Sequence, residues 1–137
     1  MTAPSFTIDC ISDVRTFIVE DNPTIRENLI STLEELAGVA AVGFAETERD
    51  GSTWLNQNQS NWDLAIVDLF LKQGSGLGVL QSCRGRRDGQ KVVVLTNYAT
   101  PDIRARCQQL GVDAVFDKST DIDALIEFCL DVSSGVN

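Results

Sequence analysis

The sequence has no histidine, only three prolines and one tyrosine, and no two cysteines at C-x-x-C spacing. Structural zinc sites draw on paired cysteine and histidine ligands, so none is expected. The four cysteines, Cys10, Cys83, Cys107 and Cys129, stand far apart. Three of them fall within expected strand or helix segments, where a thiol behaves as a small apolar side chain. All four are therefore read as reduced, in a cytosolic setting. No signal peptide and no apolar run of membrane length is present, which implies a soluble cytoplasmic protein without a membrane partner. Basic charge is scarce as well. Eleven Lys and Arg face 20 Asp and Glu, a net charge of −9. An acidic surface repels phosphate backbones, so no nucleic-acid partner is expected. The short basic cluster Arg84, Arg86 and Arg87 reads as the solvated end of a helix, where cations suit the dipole.

What is present is a chain of 137 residues, 43% of them hydrophobic. That fits one domain with a core that needs neither metal nor crosslink. Apolar segments at 16–19, 39–44, 64–67, 92–95 and 112–116 are rich in Val, Ile and Phe and bounded by Gly, Asn, Asp and Lys. Because they are apolar throughout rather than alternating, they read as strands buried on both faces of a parallel sheet.

Helical stretches lie between them. The first has Asn22 as cap and Pro23 at the first helical position, with Ile25, Leu29, Leu33 and Leu36 on one face. The second contains Gly51, Ser52 and Thr53 and draws most of its apolar surface from Trp54 and Leu55. The fourth begins with Thr100 and Pro101 and presents Ile103, Cys107 and Leu110. In the fifth, Thr120 and Asp123 have the spacing of a capping box, ahead of a stripe of Ile122, Leu125, Ile126, Cys129 and Leu130. Residues 1–13 stand outside this rhythm and read as an N-terminal arm or a short extra strand carrying Phe6, Ile8 and Cys10. The domain proper is residues 14–137.

Five βα units imply an α/β fold, a doubly wound sheet with helices on both faces. In such sheets the site lies at the carboxyl ends of the strands, so the residues ending the strands are the informative ones. They are Glu20 and Asp21, Asp68, Thr96 and Lys118. Each alone has an ordinary reading as a cap, a loop residue or a solvated charge. Together they bring three carboxylates, a hydroxyl and an ammonium to one end of one sheet. Carboxylates that close repel one another unless a cation joins them. Mg²⁺ favours oxygen ligands and takes one or two carboxylates plus a phosphate oxygen, and a carboxylate beside it can act as a nucleophile.

Glu20-Asp21, the run W-D-L-A-I-V-D ending at Asp68, V-V-V-L-T ending at Thr96 and F-D-K ending at Lys118 resemble the response-regulator receiver family. The resemblance spans roughly residues 15–132, and Gly76 stands where the family keeps a glycine before its third helix. It implies a flavodoxin-like five-stranded parallel sheet of order 2-1-3-4-5. It also implies that Asp68 accepts a phosphoryl group from the phosphohistidine of a histidine kinase or a histidine phosphotransfer protein. Asp21 would bind Mg²⁺ (or Mn²⁺) directly, Glu20 mainly through water, and the Phe70 backbone carbonyl would be a further ligand beside Asp68. Thr96 and Lys118 would hold phosphoryl oxygens. The chain would be a switch, not an enzyme beyond its own phosphotransfer and hydrolysis. Its output would leave through a downstream target protein, or a homodimer, on the surface at about residues 101–130.

The chain also departs from the family pattern. Lys72 stands where a proline is common after the acceptor, and Ser119 stands where one usually follows the lysine. A cis Lys–Ser bond would cost ~3 kcal/mol, so trans is expected. The switch aromatic usually lies three positions before the lysine, where this chain has Val115, and Phe116 should point to the opposite face. The loop Asn97-Tyr98-Ala99 is then the expected route of output. Asn97 replaces a smaller residue, and Phe70 and Tyr98 occupy the variable positions flanking the acceptor and the threonine. Bulk there is expected to exclude the hydrolytic water and small phosphodonors. Other readings are weaker. Gly74-Ser75-Gly76-Leu77-Gly78 imitates a dinucleotide fingerprint but has Val79 at the third glycine. An aspartyl phosphohydrolase would want a second carboxylate two residues after Asp68, where Phe70 stands. A degenerate receiver acting as a phosphorylation-independent interaction module is the alternative function.

Overall fold

In a computed structural model, which describes residues 13–134, the alternation of apolar runs and capped helices resolves into ten elements. They are β1 (Val14–Val19), α1 (Pro23–Leu36), β2 (Val39–Ala45), α2 (Glu48–Gln57), β3 (Leu64–Val67), α3 (Gly76–Ser82), β4 (Lys91–Thr96), α4 (Pro101–Gln109), β5 (Ala114–Asp117) and α5 (Ile122–Ser133). All strand pairs are parallel and the sheet order is β2-β1-β3-β4-β5, the expected flavodoxin-like order. The arm or strand expected over residues 1–13 lies, but for Asp13, outside the described residues, as does Cys10.

Strand alternation sorts the core into two layers. Phe17, Val19, Ala65, Val67, Val92, Val94 and Val115 face α2, α3 and α4, where they meet Leu55, Val79, Leu80 and Cys107. Ile18, Ile66, Val93, Leu95 and Phe116 face α1 and α5, meeting Leu29, Leu33, Leu125 and Cys129. Phe116 lies edge-on to Phe128 at 5.9 Å, so it does point away from the layer that holds Val115. The three described cysteines are buried and free. Burial pushes their thiols up, that of Cys129 to about 12, so they are neutral at physiological pH.

Several sequence expectations need correction. β2 is an edge strand, not buried on both faces: Val42 and Phe44 are exposed, and the Arg26 guanidinium lies 3.9 Å from the centroid of the Phe44 ring. Ile25, Leu36 and Leu130 are also exposed, while Arg26 is buried with Leu29 and Leu33. The inward stripe of α1 is therefore rotated from the purely apolar one. The strand expected at 112–116 starts later, because Gly111 takes φ +83° and the Val112 and Asp113 amides are used in the turn, bonding Cys107 O and Val92 O. Helix α5 has Asp121 as its N-cap with no side-chain capping bond, so no capping box forms. The Asp121 carboxylate instead accepts the Asp117 N–H at 2.9 Å and faces Arg104. Of the arginine cluster, Arg84 and Arg87 are exposed as expected, but Arg86 is not a merely solvated charge. Helix α3 stops at Ser82, and Arg86 donates to Gln90 O, Gly111 O and Asp113, pinning the turn that leads into β4.

At the opposite end of the sheet from the strand-end carboxylates, Arg15 and Asp63 pair at 3.0 Å, and the Arg15 amide also donates to Asp63. Burial pushes the Asp63 carboxyl up, but the bonds and charge of Arg15 outweigh it and hold the group below the usual carboxylate range. A carboxylate held low in the folded state stabilises the fold above its unfolded pKa, and that contribution is lost as pH falls through the lower folded value. Both side chains are more than a third exposed, so solvent screening limits the pair to about 1 kcal/mol or less. The difference in unfolding free energy between wild type and Asp63→Asn is expected to be fully present at neutral pH and to shrink below about pH 4. Urea titrations across that range check it, and a gap that widens in acid would refute it.

Candidate functional site

Parallel register brings the strand ends level. Val19 pairs with Val67 and Val67 with Val94, so the residues that follow β1 and β3 emerge side by side. Glu20, Asp68 and Thr96 are all buried there, Thr96 completely. Lys118 reaches across from the end of β5. Its Nζ donates to Glu20 Oε1 at 2.6 Å and to Asp68 Oδ2 at 3.0 Å. Burial pulls the Lys118 ammonium down, but the bond to Glu20 and the charge of Asp68 outweigh it and hold the group above its ordinary range. For Glu20, burial is the largest influence and keeps the carboxyl high despite Lys118 and the Asn22 amide. One ammonium is shared by two buried carboxylates.

Asp21 completes the group. Carboxylate oxygens of Glu20, Asp21 and Asp68 lie within 4.8 Å of one another. Hard oxygen donors this close, with a single cation among them, suit a divalent ion of the Mg²⁺ class. The loop after β3 is tied into the same place. The Phe70 N–H donates to Asp68 Oδ1 at 3.3 Å, and the Lys72 N–H donates to Asp21 Oδ2 at 2.7 Å. A proline at position 72 would have no such N–H. Position 119 behaves alike: the Ser119 N–H donates to Asp117 Oδ1 at 2.7 Å. Among the described residues no peptide bond is cis.

Two aromatic side chains stand beside the site and touch each other. Phe70 and Tyr98, both more than half exposed, meet edge to face with ring centroids 4.9 Å apart. The Tyr98 N–H donates to Thr96 Oγ1 at 3.2 Å. Asn97 faces the other way, lining with Lys118 a groove between α1 and α5 walled by Ile25, Leu29, Leu95 and Ile122. Thus the strand-end residues singled out in the sequence converge, with Phe70 and Tyr98 together on one side of Asp68 and Asn97 apart from them.

Sequence reasoning missed three supporting residues. Buried Arg26 donates to the Glu20 carbonyl at 2.9 Å and to Glu46 at 2.8 Å, fixing the backbone between the first two acidic residues. Glu48 Oε1 accepts the Ser75 N–H at 2.8 Å and so braces the glycine-containing loop. Arg104 donates to Ala99 O and Val115 O. Each is a charged residue on a helix that a periodicity reading turns outward; the visible signal for Arg26 was its place four residues after the cap.

The model of the response regulator receiver domain matches residues 16–129. The acid tolerance regulatory protein ActR of Rhizobium meliloti (strain 1021) is 31% identical over 114 residues, covering 83% of this chain and 57% of that protein. The photosynthetic apparatus regulatory protein RegA of Rhodobacter capsulatus is 26% identical over 110 residues, covering 80% and 58%. The chain thus spans little more than half the length of these curated relatives. Among solved structures, the signal receiver domain of the putative response regulator NarL from Mycobacterium tuberculosis superposes with a TM-score of 0.77 at 21% identity, covering 90% of this chain and 98% of that one. The phosphorylated cyanobacterial phytochrome response regulator RcpA gives 0.71 at 22% identity, covering 92% and 97%. At such identities these two speak for the fold alone. With the family model spanning most of its length, the chain belongs to the response-regulator receiver family and is a receiver domain of two-component signalling.

Proposed function

We propose that Asp68 is the phosphate acceptor of a switch, and that the shared contact of Lys118 with Asp68 and Glu20 is the observation that best supports it. An Asp68 carboxylate oxygen attacks the phosphorus of a phosphohistidine on a histidine kinase or histidine phosphotransfer protein. The P–N bond breaks, its electron pair stays on the imidazole nitrogen, and that nitrogen is protonated from solvent. Lys118 balances the negative charge of the transferring group, and the Thr96 hydroxyl donates to one of its oxygens. Glu20, Asp21 and Asp68, with the Phe70 carbonyl, would hold Mg²⁺ or Mn²⁺. Such an ion supplies charge neutralisation at the phosphoryl oxygens.

Phe70 and Tyr98 restrict the approach of water and of small phosphodonors to the aspartyl phosphate. The phosphoryl group is therefore expected to outlast that of the double variant Phe70→Ala/Tyr98→Ala, measured by loss of label after removal of the donor. Equal lifetimes would remove the cover from the account. Output passes to a target protein through the surface around α4, β5 and α5. The acidic charge disfavours a nucleic-acid partner for this domain itself, and no helix among the described residues is long and apolar enough to cross a membrane.

The test is intact mass after incubation with Mg²⁺ and a phosphohistidine protein, with a small phosphodonor in parallel. A gain of about 80 Da, one phosphoryl group, is expected in the wild type and not in Asp68→Asn. Labelling by the phosphohistidine protein alone fits the cover over the site. No adduct from either donor would replace this reading with that of a receiver that signals by binding only.

A further inference from the structure

The loop after β4 carries the only tyrosine of the sequence and is held from both sides. Toward the site, the Tyr98 N–H sits on Thr96 Oγ1 and the Tyr98 ring on Phe70. Away from it, the next carbonyl, that of Ala99, accepts from Arg104 Nε at 3.0 Å. The same guanidinium donates through Nη1 to the Val115 carbonyl at 2.9 Å and through Nη2 to Asp121 Oδ2 at 3.4 Å. Asp121 in turn accepts the Asp117 N–H, one residue before Lys118, and the Lys118 N–H donates to the Thr96 carbonyl at 2.9 Å. One planar group on α4 therefore ties together the loop of Thr96, strand β5 at Val115 and the turn that follows Lys118.

Resting on the reading of Asp68 as acceptor, we propose that Arg104 is a positioning residue that links the acceptor site to α4 and β5, in a chain that has valine where an aromatic would otherwise make that link. The argument is one of stiffness. The Thr96 side chain is fully buried, so its hydroxyl cannot turn toward a new phosphoryl oxygen without disturbing the Tyr98 N–H that rests on it. A shift of Tyr98 carries the Ala99 carbonyl with it. A guanidinium presents its donors in a rigid fork, so displacement at Ala99 is passed on to Val115 and Asp121 rather than absorbed. A lysine in its place, a point charge on a flexible stem, would absorb it. The proposed change is two-sided: Arg104 reports the state of the site to α4 and β5, and whatever binds α4 bears equally on the site.

The full chain with 3-fluorotyrosine incorporated gives one fluorine signal, from Tyr98, and ¹⁵N labelling gives amides of Arg106 and Cys107 in α4 and Phe116 in β5. Beryllofluoride with Mg²⁺ serves as the phosphoryl mimic. In the wild type, the fluorine and these amides are expected to shift together. In Arg104→Lys and Arg104→Gln the fluorine still shifts, while the α4 and Phe116 amides stay near their unliganded positions. Should either variant fail to fold, Asp121→Asn leaves Arg104 in place without its charged partner, and its amide displacements are expected to fall partway. Amides that move in the variants as far as in the wild type overturn the proposal. Intact mass keeps the two levels apart. A wild type that takes no phosphoryl group and shows no fluorine shift overturns the acceptor reading, and this one with it. A phosphorylated wild type whose α4 and Phe116 amides do not move overturns the role of Arg104 alone.

Discussion

Replacing Gly76 by alanine is expected to lower the melting temperature by roughly 4–10 °C, a drop matching about 1–3 kcal/mol for overpacking in a domain of this size. A Cβ at this position would lie 2.1 Å from the Asp68 carbonyl oxygen and 2.7 Å from the Leu69 Cα. Both are backbone atoms, so no side chain can rotate away, and the loop that carries the acceptor must itself move. The Gly76 N–H donates to the Leu69 carbonyl, so the displaced segment also strains the bond that closes this loop. Gly85, where a Cβ would meet nothing within 4 Å, supplies the control. Thermal unfolding by circular dichroism compares the two. If Gly76→Ala melts within about two degrees of Gly85→Ala, the close approach is not what it is taken to be. Under the proposed function the Gly76 variant should also be labelled poorly, since the peptide after Asp68 is shifted.

Lys118→Met keeps the length of the side chain and removes its charge. On the proposed reading, phosphotransfer to Asp68 should slow by about 10²–10³-fold, the cost of losing one donor aimed at developing charge. The fold is expected to suffer as well. Glu20 and Asp68 are 4% and 9% exposed at their side chains, and breaking such a buried pair typically costs about 3–5 kcal/mol. Because the three carboxylates suit a divalent ion, Mg²⁺ should restore more stability to the variant than it adds to the wild type. Rates of mass gain with a phosphohistidine protein, and melting curves with and without Mg²⁺, measure the two effects. A labelling rate within threefold of wild type would remove Lys118 from the chemistry, and a variant as stable as wild type without Mg²⁺ would mean its ammonium is not what holds the carboxylates.

The sheet and the strand-end site were legible in the sequence for a simple reason. In a parallel sheet every strand points the same way, so the residue after each apolar run lands at the same end, and order along the chain converts directly into proximity. Glu20, Asp21, Asp68, Thr96 and Lys118 needed no side-chain detail to be grouped. What periodicity does not reveal is a charged residue that turns inward. Arg26 lies outside the apolar stripe read from the sequence, yet it is buried because the Glu20 carbonyl, Glu46 and the Phe44 ring satisfy its guanidinium. Asp121, not Thr120, is the N-cap, which capping rules miss because they see only the local helix, whereas its carboxylate is engaged by Asp117 and Arg104. The expected order 2-1-3-4-5 puts β2 at the edge, but the exposure of Val42 and Phe44 was hidden, since an apolar run covered by a cation reads the same as one covered by a helix. Lys72 and Ser119 stand where the family often has proline. That the freed amides would bind Asp21 and Asp117 depended on geometry no local rule carries.

The two bonds of Lys118 join it to residues 98 and 50 positions earlier in the chain. Between Glu20 and Lys118 lie four of the five strands and four of the five helices, so the ammonium reaches its partners only after β1, β3, β4 and β5 have aligned. Contacts of such long sequence separation carry a large loop-closure cost and form slowly. A nascent or partly unfolded chain, however helical, presents Asp68 without its cation and Glu20 without its neighbour. Under the proposed function, competence to react is then a property of the completed sheet, and an incomplete copy stays silent rather than wrongly switched on.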